Sequence, residues 1–172
     1  MISDPALHRS SYSGNSDPIS DWRETCNVLS ASIENLVDDC LRRGTSLVLE
    51  GVHVVPGDSL IKKWVASGGV AVGCVLHIPD SELHRKVIFQ RGVQKTKGAE
   101  EHLNRFTRIR AINDEMVRLG SSNDWMLIEQ RPIVEARPID IINEKLQNNI
   151  WEEGVSKSLI SKGGSLPFDG SL

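Results

Sequence analysis

The sequence predicts an α/β protein built on a parallel sheet, and three observations predict it. The apolar runs Ser46–Glu50, Val70–Ile78 and Trp125–Ile128 alternate little and are bounded by turn residues, as strands buried on both faces are. Segments with apolar residues at every third or fourth position separate the runs, the order that parallel crossovers produce. The first run ends abruptly in Glu50-Gly51-Val52-His53, and open α/β sheets bind their ligands beyond such strand ends.

Residues 1–17 are rich in Ser, Asp and Pro without periodicity and read as a flexible tail. From Ile19 the stripe Trp22, Cys26, Leu29, Ile33, Leu36, Val37 and Cys40 predicts a helix of about twenty residues. Asp21 and Glu24 offer a capping box at its start, and Gly44 supplies the stop. The Glu50 strand follows and is broken by Pro56-Gly57. Leu60, Ile61, Trp64 and Val65 predict a short helix that ends at Gly68-Gly69, before the second strand. Asp80 caps a helix running to about Arg91, and a loop from Gly92 to Gly98 leads into a helix from about Ala99 to Leu119. The core positions of that helix are Leu103, Phe106, Ile109, Ile112, Met116 and Val117. After the third strand, Pro138 opens a last helix with Ile139, Ile142, Leu146 and Ile150 on one face. The folded domain is therefore expected over 18–153, with a lid at about 80–119 and a second flexible tail over 154–172. Three strands leave an exposed edge, which predicts that a further piece of the domain covers it.

The chain has 172 residues, 25% of them charged, with a formal net charge of -3. That balance argues against gripping nucleic acid as the main task. Cys26, Cys40 and Cys74 have no metal-ligand spacing and occupy apolar positions, so buried thiols in a reducing compartment are expected. No basic start followed by an apolar run opens the chain, and no apolar stretch reaches eighteen residues. The expectation is a soluble cytoplasmic protein without membrane or nucleic-acid partners.

Glu50 is the first candidate for chemistry. In phosphoryl-transfer enzymes an acid at a strand end holds Mg2+, often through water; the plainer reading is an acid that ends a strand at the surface. His53 stands in the turn beyond, where an imidazole can meet a phosphate or a hydroxyl, or can serve the turn alone. A second constellation is basic. Arg85, Lys86, Arg91, Lys95, Lys97, Arg105, Arg108 and Arg110 face only Glu100 and Glu101 within their span, a local excess of about +6. Such a run is either a solvated helix face or a flap that closes over phosphates on its glycine hinges. Arg91 and Arg110 border apolar stripes and are the flap candidates. Aromatic interleaving, which base stacking needs, is lacking there. Trp22 and Trp64 lie on apolar faces and read as core.

Residues from about Trp22 to Leu146 resemble the 2-phosphoglycerate kinase family, P-loop kinases related to the plant low-phytic-acid proteins. The likeness is carried by Ser46–Gly57 (SLVLEGVHVVPG), Val75–Pro79, Glu82-Leu83-His84-Arg85 with Phe89-Gln90-Arg91, and Asn104–Asn113 (NRFTRIRAIN). It covers the C-terminal two-thirds of the family's pattern. It implies a three-layer P-loop kinase sandwich with a parallel sheet and a helical lid, incomplete in this chain, with ATP as substrate and Mg2+ as cofactor. The partner it implies is a small phosphorylated acceptor, a phosphoglycerate or a polyol phosphate. It further implies Glu50, Arg91 and Arg110 as catalytic residues, Glu50 meeting the metal through water, and Gly51, His53, His84 and Arg85 at the substrate. The Gly-x-x-x-x-Gly-Lys-Ser/Thr loop that cradles phosphates in that family is not in the sequence. An isolated chain without turnover is therefore expected, and a kinase-like binding or regulatory module is the alternative.

Overall fold

The computed structural model describes residues 17–94, 105–130 and 139–150, with backbone alone for 91–94. Helix α1 (Pro18–Arg43) is followed by α2 (Ser59–Ala66), strand β1 (Cys74–His77), α3 (Ser81–Gln94), α4 (Phe106–Ser122) and strand β2 (Met126–Glu129). Residues 139–150 form a last helix, α5. No helix among the described residues is long and apolar enough to cross a membrane.

α1 starts earlier than its apolar stripe. Asp17 caps it by accepting a hydrogen bond from the Ser20 amide at 2.8 Å, and Pro18 fills the first turn, where a missing N–H costs nothing. The Asp21–Glu24 capping box is therefore corrected: Asp21 already lies inside the helix, and its carboxylate pairs with Arg108 on α4. The C-terminal stop is at Gly44 as expected, in the left-handed region with φ of 64°.

β1 and β2 pair in parallel, with Cys74 opposite Met126 and His77 opposite Glu129. The chain is thus mixed α and β, with the helices α3 and α4 in the crossover between parallel strands. α4 packs against this pair and runs antiparallel to β1. Near its start the Arg110 guanidinium donates to the carbonyl of Ile78, just past β1, at 2.6 Å. Near its end Gly120 sits so close that an added methyl would lie 2.9 Å from the Val75 side chain. On its other side α4 meets α1. Trp22, Cys26 and Ile112 form the buried cluster, with Ile19, Val52, Val55, Met116 and Leu119 packed around it. Arg23 pairs with Glu115 at 2.6 Å across the same interface. Pairing Asp21 with Arg108 and Arg23 with Glu115 sets the N-terminal turns of α1 beside those of α4, at the C-terminal end of β1.

The predicted strand Ser46–Glu50 is corrected. It is not in the sheet, and among the described residues no backbone hydrogen bond reaches it. It is nevertheless extended. α1 rises roughly 30 Å between Trp22 and its C-cap, and the eight residues from Thr45 to Val52 return to the Trp22 indole only as stretched chain. Its side chains alternate, with Leu47 and Leu49 partly buried while Val48 is 91% exposed. Two further differences concern α3 and α4. The helix of α3 continues through Gly92 to Gln94, because a single glycine lowers helix stability by only about 1 kcal/mol and does not break it. Loop positions 95–98 and the predicted helical start 99–104 lie outside the described residues, as do both predicted tails except Asp17 and the side chain of Arg91.

Candidate functional site

The turn after the stretched segment holds three of the candidate residues. Gly51 has φ of 141°, a conformation that side chains resist, so glycine is required where the chain leaves Glu50. The Val54 amide closes the turn on the Gly51 carbonyl at 3.1 Å. Two tryptophans hold the turn from outside. Trp22 of α1, fully buried, donates its indole N–H to the Val52 carbonyl at 2.7 Å. Trp125, just ahead of β2, donates to the Gly57 carbonyl at 3.0 Å. Its ring lies flat against Gly73, where even a methyl would come within 2.4 Å. Pro56 between them is buried.

Glu50 is exposed at the mouth of this turn. His53 is half-buried, and that burial holds its pKa below the ordinary histidine value, so the imidazole is neutral at pH 7. The Trp22 bond puts Val52 beside the N-terminal half of α1, and the Trp125 bond puts Gly57 beside the N-terminal end of the strand pair. Arg110 stands at the C-terminal end of β1. Its guanidinium is already engaged, with Nη1 on the Ile78 carbonyl and with Nε at 3.2 Å and Nη2 at 2.8 Å on the Asp114 carboxylate. It is the tie between β1 and α4, and two of its five N–H donors remain for anything else.

His84 and Arg85 lie on α3 and meet at Phe106, the buried first residue of α4. The His84 ring approaches it edge-on at 5.6 Å, and the Arg85 guanidinium sits over its face at 4.5 Å. Arg85 is exposed and has no carboxylate partner among the described residues. Of the eight cations in the basic run, Arg108 and Arg110 are paired with Asp21 and Asp114, while Lys95 and Lys97 fall outside the described residues.

Among the described residues no group of three His, Cys, Asp or Glu is placed to hold a metal by itself. Magnesium needs no such cage, since one or two carboxylates suffice when substrate phosphates complete the shell. A lone exposed Glu50 fits that manner of binding. What the sequence reading missed are the two indole posts. Trp22 reads as core, and it is core, but a buried indole N–H must also find an acceptor.

Curated proteins named 2-phosphoglycerate kinase are similar to this chain over most of its length. That of Methanocaldococcus jannaschii is 29% identical over 163 residues, covering 89% of this chain and 52% of the relative. That of Methanopyrus kandleri is 28% identical over 168 residues, with coverages of 90% and 50%. One from Methanococcus maripaludis is 30% identical over 118 residues, with coverages of 67% and 37%. The chain thus spans about half the length of these relatives or less. No family model matches it, and no solved structure does. The likeness first carried by the EGVHVVPG and RIRAI blocks is found across most of the chain.

Proposed function

We infer that the chain is part of the catalytic domain of a P-loop-type small-molecule kinase, one that moves the γ-phosphoryl of ATP onto a small phosphorylated acid or polyol phosphate. The observation that carries this reading is the Glu50–Gly57 turn, held at Val52 by Trp22 and at Gly57 by Trp125, with an exposed carboxylate at its mouth. Similarity to proteins named 2-phosphoglycerate kinase supports it.

In this reading Glu50 would hold Mg2+ through water, and the metal would supply charge neutralisation for the phosphates. Neutral His53 contacts the acceptor through its ring nitrogens. Arg85, held on Phe106, meets anionic groups, and Arg91, whose backbone lies in the last turns of α3, is assigned the same task. The lid moves on α3, because α4 is locked to α1 by Ile112 and two interhelical ion pairs. Arg110 acts at the strand end through its remaining donors. The phosphate-cradling loop and its lysine come from polypeptide beyond these residues, whose strand covers the open 46–50 segment. The chain by itself then turns over no substrate, and it resides in the cytoplasm.

A second reading, a kinase-like binding or regulatory module, is favoured by one observation. Arg110 is committed to Asp114 and to a backbone carbonyl, the work of a structural tie. One experiment separates the two. In a polypeptide that joins this chain to a phosphate-binding loop, Glu50→Gln should lower kcat by roughly 100-fold or more while circular dichroism stays unchanged. Turnover indifferent to Glu50→Gln would remove Glu50 from the mechanism. Binding of 2-phosphoglycerate without any turnover would favour the module.

A further inference from the structure

We propose that Trp22 and Trp125 are positioning residues for the Glu50–His53 turn, each acting as a hydrogen-bond post for a carbonyl at one end of the segment that follows Glu50. The functional meaning of this rests on the kinase reading above; the geometry does not. Core filling alone does not ask for tryptophan at either place. Trp22 is wholly buried among Cys26, Ile112 and the partly buried Val52 and Val55, where a phenyl ring would also pack. What only indole adds is the N–H, and it is spent on Val52, two residues beyond Glu50 and one before His53. Trp125 repeats the arrangement from the sheet side. Its ring rests on the bare backbone of Gly73 and its N–H meets Gly57, at the other end of the same segment.

Between the posts the turn runs over Gly51 to Gly57. An internal backbone bond runs from the Val54 amide to the Gly51 carbonyl, and Gly51 is the residue with the widest conformational freedom. The two posts come from elements far apart in sequence, α1 and the residue ahead of β2. The turn therefore takes its place from the α1–α4 interface at one end and from the strand pair at the other. A group standing in such a turn is set relative to both.

The test uses the chain as it is, with Trp22→Phe and Trp125→Phe, which keep an aromatic ring and delete the N–H. The His53 ring is followed by NMR through a pH titration. Removing either post should let water reach His53, and its pKa should rise from its lowered position toward the ordinary histidine value. A lost structural contact alone would lower the melting temperature and leave the His53 titration where it was. That outcome in both variants would overturn the proposal. In the wild-type chain the Trp22 and Trp125 indole N–H protons should exchange slowly with solvent; exchange of both within the first minutes would overturn it equally, should either variant fail to fold. Calorimetry with 2-phosphoglycerate keeps the two levels apart. Binding by the wild type that weakens roughly tenfold or more in either variant supports positioning of a working site. A shifted His53 titration with no binding by the wild type upholds the posts and counts against the kinase reading of this turn.

Discussion

Two neighbouring pieces of backbone, 46–50 and 51–57, meet opposite fates. The first is a run of apolar residues that ends in an acid, with Val48 in water and, among the described residues, no strand paired with it. The second is a glycine- and proline-bearing turn of the kind usually left to solvent, yet Pro56 is buried and two indoles hold its carbonyls. Order here follows from which backbone groups find partners rather than from which side chains are apolar. A strand makes its hydrogen bonds only with another strand, whereas a turn can be held by side chains already committed to the core.

The largest expected effect lies at the held end. Trp22→Ala removes the centre of the α1–α4 cluster and the Val52 post together and should cost about 3–5 kcal/mol, measured by urea unfolding. A cost no greater than that of a surface change would mean that the turn is not held as described.

A smaller effect tests the platform beneath it. Arg118, and after it Arg23, hold the Glu115 carboxyl down at about 2 against an ordinary 4.5. A carboxyl depressed in the folded state adds stability that is complete above the unfolded value and is lost as pH falls through the folded one. Unfolding followed from pH 5 to 2 should therefore lose on the order of 1 kcal/mol from this group, discounted because both arginines are largely in water. Glu115→Gln should flatten that acid limb.

The smallest effect belongs to the open segment. Val48→Thr should shift the stability of this chain by no more than about 0.5 kcal/mol. In a polypeptide that supplies a strand to cover it, the same change should cost more, and the difference between the two measurements sharpens the contrast between held and open backbone.

Much of the helical framework was legible from spacing. The stripe Trp22, Cys26 and Val37 is buried, Gly44 stops α1, and Ile112 of the RIRAI block is core. The start of α1 was also written in the chain, as Asp17 followed by Pro18, but an apolar stripe counts only what faces the core and so missed the cap. The open strand was misjudged for a physical reason. Three apolar residues in a row state that a segment prefers burial; they do not state that its neighbour lies in the same 172 residues. Of the candidate site, Glu50, Gly51 and His53 share one turn by sequence adjacency alone. The posts were illegible because a bond from Trp22 to a carbonyl thirty residues away leaves no periodic trace. Nor does the Asp21–Arg108 pair, which spans 87 residues.

Phe106 has a mechanical consequence. His84 touches its edge and Arg85 its face, so two consecutive residues of α3 grip one ring at the root of α4. A swing of α3 about its own axis loses both contacts in a single step, which makes the motion a switch between seated and unseated rather than a gradual drift. The ring is itself buried and belongs to the helix that braces α1 against the strands. Phe106 is thus the joint through which a displacement of α3 would be felt as a torque on the rigid part of the molecule.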